Sequence, residues 1–133
     1  MKLPFPIKTI AALLCLLFPF CACQQKGADF KSLSVEEFAD VIAAPDVQRL
    51  DVRTVAEYTE GRIPGSLNIN VLDPLFAQMA DSLLQKDQPV ALYCRSGRRS
   101  KKAAEILSQA GYEVYELDSG FNGWQKAGME VEK

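Results

Sequence analysis

The chain has 133 residues, a net charge of −2 and 48% apolar residues. That length suits one domain with its own core, and so mild a charge lacks the basic footprint of a nucleic-acid binder. The sequence contains no histidine, which excludes histidine-assisted nucleophilic chemistry.

The first residues read as an export signal. Lys2 and Lys8 flank Pro4 and Pro6, and an uncharged apolar run follows from Ile10 to Phe20, interrupted by Pro19. Such a run is short for a membrane span and suits a secretory h-region. Phe20-Cys21-Ala22-Cys23 and the polar Gln24-Gln25-Lys26-Gly27 follow. This pattern resembles a bacterial lipoprotein signal, with cleavage before Cys23 and acylation of its sulfur and new amino group. A simple secretory signal and an uncleaved anchor are the alternatives. The expected organisation is a lipoprotein signal over 1–22, a lipidated Cys23 and tether over 23–29, and one folded domain over 30–131. Cleavage removes two lysines and no acid, so the mature chain is more acidic. It also removes Cys15 and Cys21, so with Cys23 acylated, Cys94 is the one free thiol and no internal disulfide is possible. Without histidine or a cysteine cluster, no metal site is expected.

Leu33-Ser34-Val35-Glu36-Glu37-Phe38 opens the domain with a helix start. Ser34 suits the N-cap, Glu37 closes a capping box, and Leu33 staples onto Phe38, with the helix stopping near Ala43 ahead of Pro45. Val47 to Arg53 reads as a strand ending in polar residues. Val55 to Tyr58 makes a short helix ended by Gly61, Ile63-Pro64-Gly65-Ser66 a turn, and Leu67 to Ile69 a short strand. Asp73 caps a helix with Pro74 at its first position, running to about Leu84. Val90-Ala91-Leu92-Tyr93 is a short buried strand bounded by Pro89.

At the end of that strand lies Cys94-Arg95-Ser96-Gly97-Arg98-Arg99-Ser100. A helix over Lys101 to Ala110 follows, closed by Gly111. Open α/β sheets hold ligands at the C-terminal ends of their strands. Loop N–H groups directed at the sulfur, together with three nearby guanidinium groups, favour thiolate over thiol. The plainer alternative is a buried, inert cysteine with solvated arginines. Tyr112 to Leu117 gives another strand, and Asp118 to Trp124 turns into a last short helix. Strands alternating with helices imply a parallel sheet covered on both faces.

From about Phe30 to Gly128 the sequence resembles a rhodanese-like domain of the single-domain thiosulfate sulfurtransferase kind. The matching stretches are Leu50-Asp51-Val52-Arg53, Glu57-Tyr58, Gly61-Arg62-Ile63-Pro64-Gly65-Ser66-Leu67-Asn68-Ile69, Cys94 to Ser100, and Gly120-Phe121-Asn122-Gly123-Trp124. The resemblance implies an α/β fold, a doubly wound five-stranded parallel sheet flanked by helices, and a Cys94 that cycles through a persulfide without a cofactor. Two departures stand out. Arg62 replaces the histidine common before Ile-Pro-Gly, and Ser119-Gly120 replaces a Gly-Gly pair.

On this reading Cys94 is the nucleophile, and Arg95, Ser96, Gly97, Arg98, Arg99 and Ser100 form the substrate cradle. Arg95 and Arg98 attract a small anionic sulfur donor such as thiosulfate, Arg99 holds the loop by bonding carbonyls or a carboxylate, and Gly97 permits the tight turn. Asp51 anchors the basic loop and Arg53 pairs with Glu57, a pair equally readable as a minor surface contact. Tyr58 and Trp124 are packing residues, and Lys101-Lys102 is a solvated helix face. The acceptor is cyanide or a thiol, with a protein acceptor as a further partner and the membrane reached through the lipid on Cys23. The location is the bacterial cell envelope, periplasmic or surface-facing. Other readings are a non-catalytic persulfide carrier, and a cysteine phosphatase or arsenate reductase. Phosphatases need an arginine at the sixth position after the cysteine. Here Arg99 is fifth and Ser100 sixth, a loop suited to a sulfur atom rather than a phosphoryl group.

Overall fold

The computed structural model describes residues 29–133; the signal, Cys23 and all but the end of the tether lie outside them. Five parallel strands form the sheet: β1 (Lys31–Leu33), β2 (Gln48–Asp51), β3 (Leu67–Asn68), β4 (Val90–Tyr93) and β5 (Val114–Leu117). Their spatial order is β1-β5-β4-β2-β3, which makes β4 the central strand. Leu50 of β2 pairs with Leu92 of β4, and Asp51 with Tyr93. On the other side, Ala91 pairs with Tyr115 of β5.

All four residues of β4 are buried, because helices cover both faces of the sheet. Alternation along the strand divides them between two cores. Val90, Leu92 and Cys94 point with Leu50, Val52 and Val114 into the core under α3 (Phe76–Leu83) and α4 (Arg98–Gln109). Ala91 and Tyr93 join Phe38, Leu117, Phe121 and Trp124 in the core under α1 (Val35–Ile42) and α5 (Gly120–Lys126). The remaining helix, α2 (Val55–Glu60), follows β2 and contributes no buried residue.

α1 carries the expected capping box, in which the Ser34 hydroxyl accepts from the Glu37 N–H and the Glu37 carboxylate accepts from the Ser34 N–H. A second box, from Thr54 and Glu57, starts α2. Several boundaries differ from the sequence reading, three of them informatively. Asp73 does not cap α3: its carboxylate accepts from the Leu75 N–H and its carbonyl from the Phe76 N–H, making a turn ahead of a helix that begins at Phe76. α4 begins at Arg98 rather than Lys101, directly after Gly97. The folded unit also reaches one residue further than 131, since Arg62 and Glu132 exchange backbone hydrogen bonds of 2.9 Å each.

Candidate active site

Cys94 leaves the C-terminal end of the central strand and enters a loop folded back over its own side chain. The Gly97 N–H donates to Cys94 Sγ at 3.1 Å, and Ser100 Oγ lies 3.4 Å from the same sulfur. Gly97 has φ +100°, and a Cβ there would sit 2.0 Å from the Asp118 carbonyl oxygen. Only glycine fits this turn. Burial pushes the Cys94 thiol up, but hydrogen bonds from Ser100, through both side chain and backbone, and from the Gly97 and Ser96 N–H groups outweigh it and bring the thiol below its ordinary range. The sulfur is therefore prepared by loop N–H groups and one hydroxyl. Among the described residues no guanidinium hydrogen-bonds it.

α5 clamps the loop from behind. The Phe121 N–H donates to the Cys94 carbonyl at 2.8 Å and the Asn122 N–H to the Arg95 carbonyl at 3.0 Å. This approach requires Gly120, whose φ is +65° and whose Cβ would lie 2.5 Å from the Arg95 carbonyl. Ser119, which stands where the family has a glycine, is accommodated by Gly123: a Cβ on Gly123 would lie 1.9 Å from Ser119 Oγ.

The three arginines of the loop separate into two roles. Arg95 and Arg98 are exposed, and neither side chain forms a hydrogen bond or ion pair with another described residue. Arg99 grips Glu57 through two parallel contacts of 2.8 and 2.9 Å. That pairing, helped by the Thr54 N–H and hydroxyl against partial burial, lowers the Glu57 carboxyl to about 2.

Two expected pairings are exchanged. Arg53 does not meet Glu57; it folds back onto Asp51, with Nε at 2.9 Å from Oδ1 and NH2 at 2.6 Å from Oδ2. Asp51 does not touch the basic loop. It is fully buried, accepting also from the Arg53 N–H and the Tyr93 hydroxyl. Burial opposes the Arg53 charge, but Asp51 outweighs it and holds the guanidinium above its usual range. The same guanidinium stacks 4.4 Å from the Phe121 ring centroid and donates to the Gly61 carbonyl. Arg53 thus braces the wall beside the loop.

Arg62 takes a structural part, pairing with Glu132 at 3.1 Å and lying 4.5 Å from the Tyr58 ring centroid. Trp124 is core, as expected, with its N–H on the Glu130 carbonyl. Lys101 departs from the solvated face: it reaches back to the Gly97 carbonyl, Glu116 and Asp118. Lys102 is exposed.

Glu116 escaped the sequence reading altogether. It is fully buried and accepts from Ser100 at 2.6 Å and Ser32 at 2.5 Å. A carboxylate at every second position with Val114, in a strand whose other residues are apolar, was the available signal.

A cleft of about 180 Å³ opens beside the loop, lined by Arg95, Arg53, Glu57, Phe121 and Asn122 among others. A larger one, about 480 Å³, lies at the opposite end of the strands near Phe30, Gly111 and Tyr115, away from the nucleophile and its charges. Chemistry assigns the site to the smaller cleft and the adjoining loop.

The family model described as Rhodanese-like domain matches residues 34–127. The chain is 34% identical over 102 residues to the thiosulfate sulfurtransferase GlpE of Shewanella oneidensis, covering 75% of this chain and 97% of that one. It is 38% identical over 105 residues to a sulfurtransferase of Allochromatium vinosum, covering 77% and 91%. Among solved structures it resembles a rhodanese-related protein of Thermoplasma volcanium, with a TM-score of 0.68, 30% identity, and 77% and 98% coverage.

Proposed function

From the premise that the chain belongs to the rhodanese-like family, we propose that it is a sulfurtransferase that takes sulfane sulfur from thiosulfate onto Cys94 and passes it to cyanide or a thiol. One observation carries the reading: the Cys94 sulfur ends the central strand inside a ring of N–H groups that hold its thiol below the ordinary range. The thiolate attacks the outer sulfur of thiosulfate. A new S–S bond forms, the old one breaks, and sulfite leaves with the electron pair. The acceptor then attacks the outer sulfur of the persulfide and returns Cys94 as thiolate. Such covalent catalysis divides one transfer into two displacements.

The exposed, uncommitted Arg95 and Arg98 suit recruitment of a dianion and stabilisation of departing sulfite. Loop N–H groups suit the outer sulfur of the persulfide. Against a phosphatase stand the loop length and the engagement of Arg99 by Glu57, which removes the guanidinium that would embrace a phosphoryl group. The export reading belongs to the same proposal: cleavage before Cys23, acylation there, and a domain tethered in the cell envelope. Its support is the sequence of residues 1–28 alone, and among the described residues no helix is long and apolar enough to cross a membrane.

Steady-state turnover with thiosulfate and cyanide, beside an aryl phosphate, tests this function. Repeated thiocyanate formation with negligible phosphate release is the expected result. Faster phosphate release would replace it with the phosphatase, and loading without repeated turnover would replace it with a persulfide carrier.

A further inference from the structure

Thiosulfate chemistry uses Arg95 and Arg98 but leaves Lys102 and an apolar margin beside the loop without a task. Lys102 is exposed, follows Arg98 by one helical turn on α4, and has no hydrogen bond or ion pair among the described residues. Like charges at that spacing are neighbours on a helix and destabilise it. Cations at a helix start also oppose its dipole, and the first turn of α4 contains no acid. The chain as a whole carries −2, so positive charge is concentrated here on an acidic protein. The loop alone serves a small dianion. Two cations a turn apart along the outside of a helix suit an extended acidic chain.

The apolar margin lies at the same end of the sheet, on the α2 and α3 side of Cys94. Val55 is 67% exposed, Leu72 64% and Leu75 54%. The Val52 N–H donates to the Tyr93 carbonyl at 3.0 Å, and the Val71 N–H to the Val52 carbonyl at 3.1 Å. The segments leading to Cys94, Val55 and Leu72 therefore run side by side, about 4.8 Å from one to the next. Leu75 immediately precedes α3, which runs from this rim back towards the start of β4. Ile106, one turn beyond Lys102, lines a groove with Ala77 and Asp81 of α3. The same face of α4 thus carries Lys102 towards the beginning of α3, where Leu75 stands. A single exposed leucine is ordinary, but several gathered beside a nucleophile mark a contact surface.

We propose that Lys102 and Arg98, with the margin of Val55, Leu72 and Leu75, dock an acidic protein segment whose cysteine takes the sulfur. The acceptor thiolate attacks the outer sulfur of the Cys94 persulfide. A new S–S bond forms on the acceptor, the bond to Cys94 Sγ breaks, and its electron pair returns Cys94 as thiolate. This surface names the acceptor of the proposed sulfurtransferase and rests on that reading. A basic and apolar rim also suits an anionic bilayer. Topology favours the protein. β1 starts at the end of the parallel sheet opposite Cys94, so a lipid on Cys23 draws that end, rather than the rim, to the membrane.

Sulfur transfer by the full chain in detergent, with saturating thiosulfate, tests the surface with three synthetic peptides. One flanks its cysteine with leucine and glutamate, the second has lysine for glutamate, and the third has serine for leucine. At low salt the first should exceed the second about tenfold in kcat/KM, and the gap should close as salt rises. Lys102→Glu should shrink that gap about threefold or more. Leu72→Ser combined with Leu75→Ser should erase most of a leucine-over-serine preference of about fivefold. These positions are exposed, so the variants keep their fold and their cyanide turnover. Equal kcat/KM for the glutamate and lysine peptides, or preferences that survive the variants, overturn the surface. The full chain on phosphatidylglycerol vesicles should turn over neutral 2-mercaptoethanol as it does on phosphatidylcholine vesicles. A loss on the anionic vesicles alone would give the rim to the bilayer and overturn the protein partner. Cyanide turnover without peptide discrimination rejects the surface alone, whereas no turnover with any acceptor rejects the sulfurtransferase and the surface with it.

Discussion

Arg99 holds Glu57 through two parallel N–H to carboxylate contacts of 2.8 and 2.9 Å, joining the first turn of α4 to the first turn of α2. The nucleophile's loop is thereby fastened to the neighbouring strand-to-helix connection, and the pH at which the fastening fails follows from the carboxylate. Glu57 is lowered from 4.5 to about 2. A depressed carboxylate contributes stability that is present above the unfolded value and is lost as pH falls through the folded one. The contribution should disappear between pH 4.5 and about 2, and, screened by solvent at this partly exposed pair, is worth about 1 kcal/mol. Glu57→Gln should lose a similar amount at neutral pH and show a flatter acid limb in chemical denaturation. Parallel acid limbs in the two proteins would contradict this.

Asp51→Ala should be costlier. It strands the Arg53 guanidinium, which is 3% exposed, without its carboxylate. Removing one partner of a buried ion pair costs about 3–5 kcal/mol. The denaturation midpoint should fall accordingly, and a shift within the scatter of surface substitutions would show that Arg53 finds water instead.

Gly120→Ala places a methyl 2.5 Å from the Arg95 carbonyl in a left-handed backbone conformation. Strain of that kind costs about 1–3 kcal/mol. Because the strain falls on the loop beside the nucleophile, sulfur transfer should drop more than stability does, by about a hundredfold if the donors shift by an ångström. Equal activity would show that the clamp by α5 is not needed to aim the loop.

Arg98→Ala removes an exposed guanidinium with no partner among the described residues. Stability should stay within about 0.5 kcal/mol, as for an ordinary surface position. The kcat/KM for thiosulfate should fall about tenfold or more, the value of a charge-assisted hydrogen bond to an anion. An unchanged kcat/KM would place Arg98 outside donor binding.

The central features of this fold are readable because local chemistry and global packing agree. Pro89 followed by four apolar residues gives β4, and a cysteine among arginines and glycine marks the loop. β1 is different: Lys31–Leu33 has no alternation to follow, and is defined only by its pairing with Tyr115 to Leu117. The start of α4 was hidden because Arg98, Arg99 and Ser100 look like loop residues, although the left-handed Gly97 lets the helix begin beside them. Arg53 and Glu57 stand four apart and suggest a helical pair. In fact Arg53 precedes the Thr54 cap, outside the helix, and turns back to Asp51. The role of Glu116 depends on Ser100 and Ser32, which come from distant parts of the chain and meet only once the sheet is assembled.

The persulfide on Cys94 is tested most directly by intact mass after incubation with thiosulfate, followed by fragmentation to locate the adduct. The wild type should gain one sulfur atom on Cys94, lose it on addition of cyanide, and release sulfite in equal amount. Cys94→Ser, whose hydroxyl stays un-ionised near neutral pH, should gain none while remaining folded. An adduct on another residue, or thiocyanate formation by Cys94→Ser, would contradict the account.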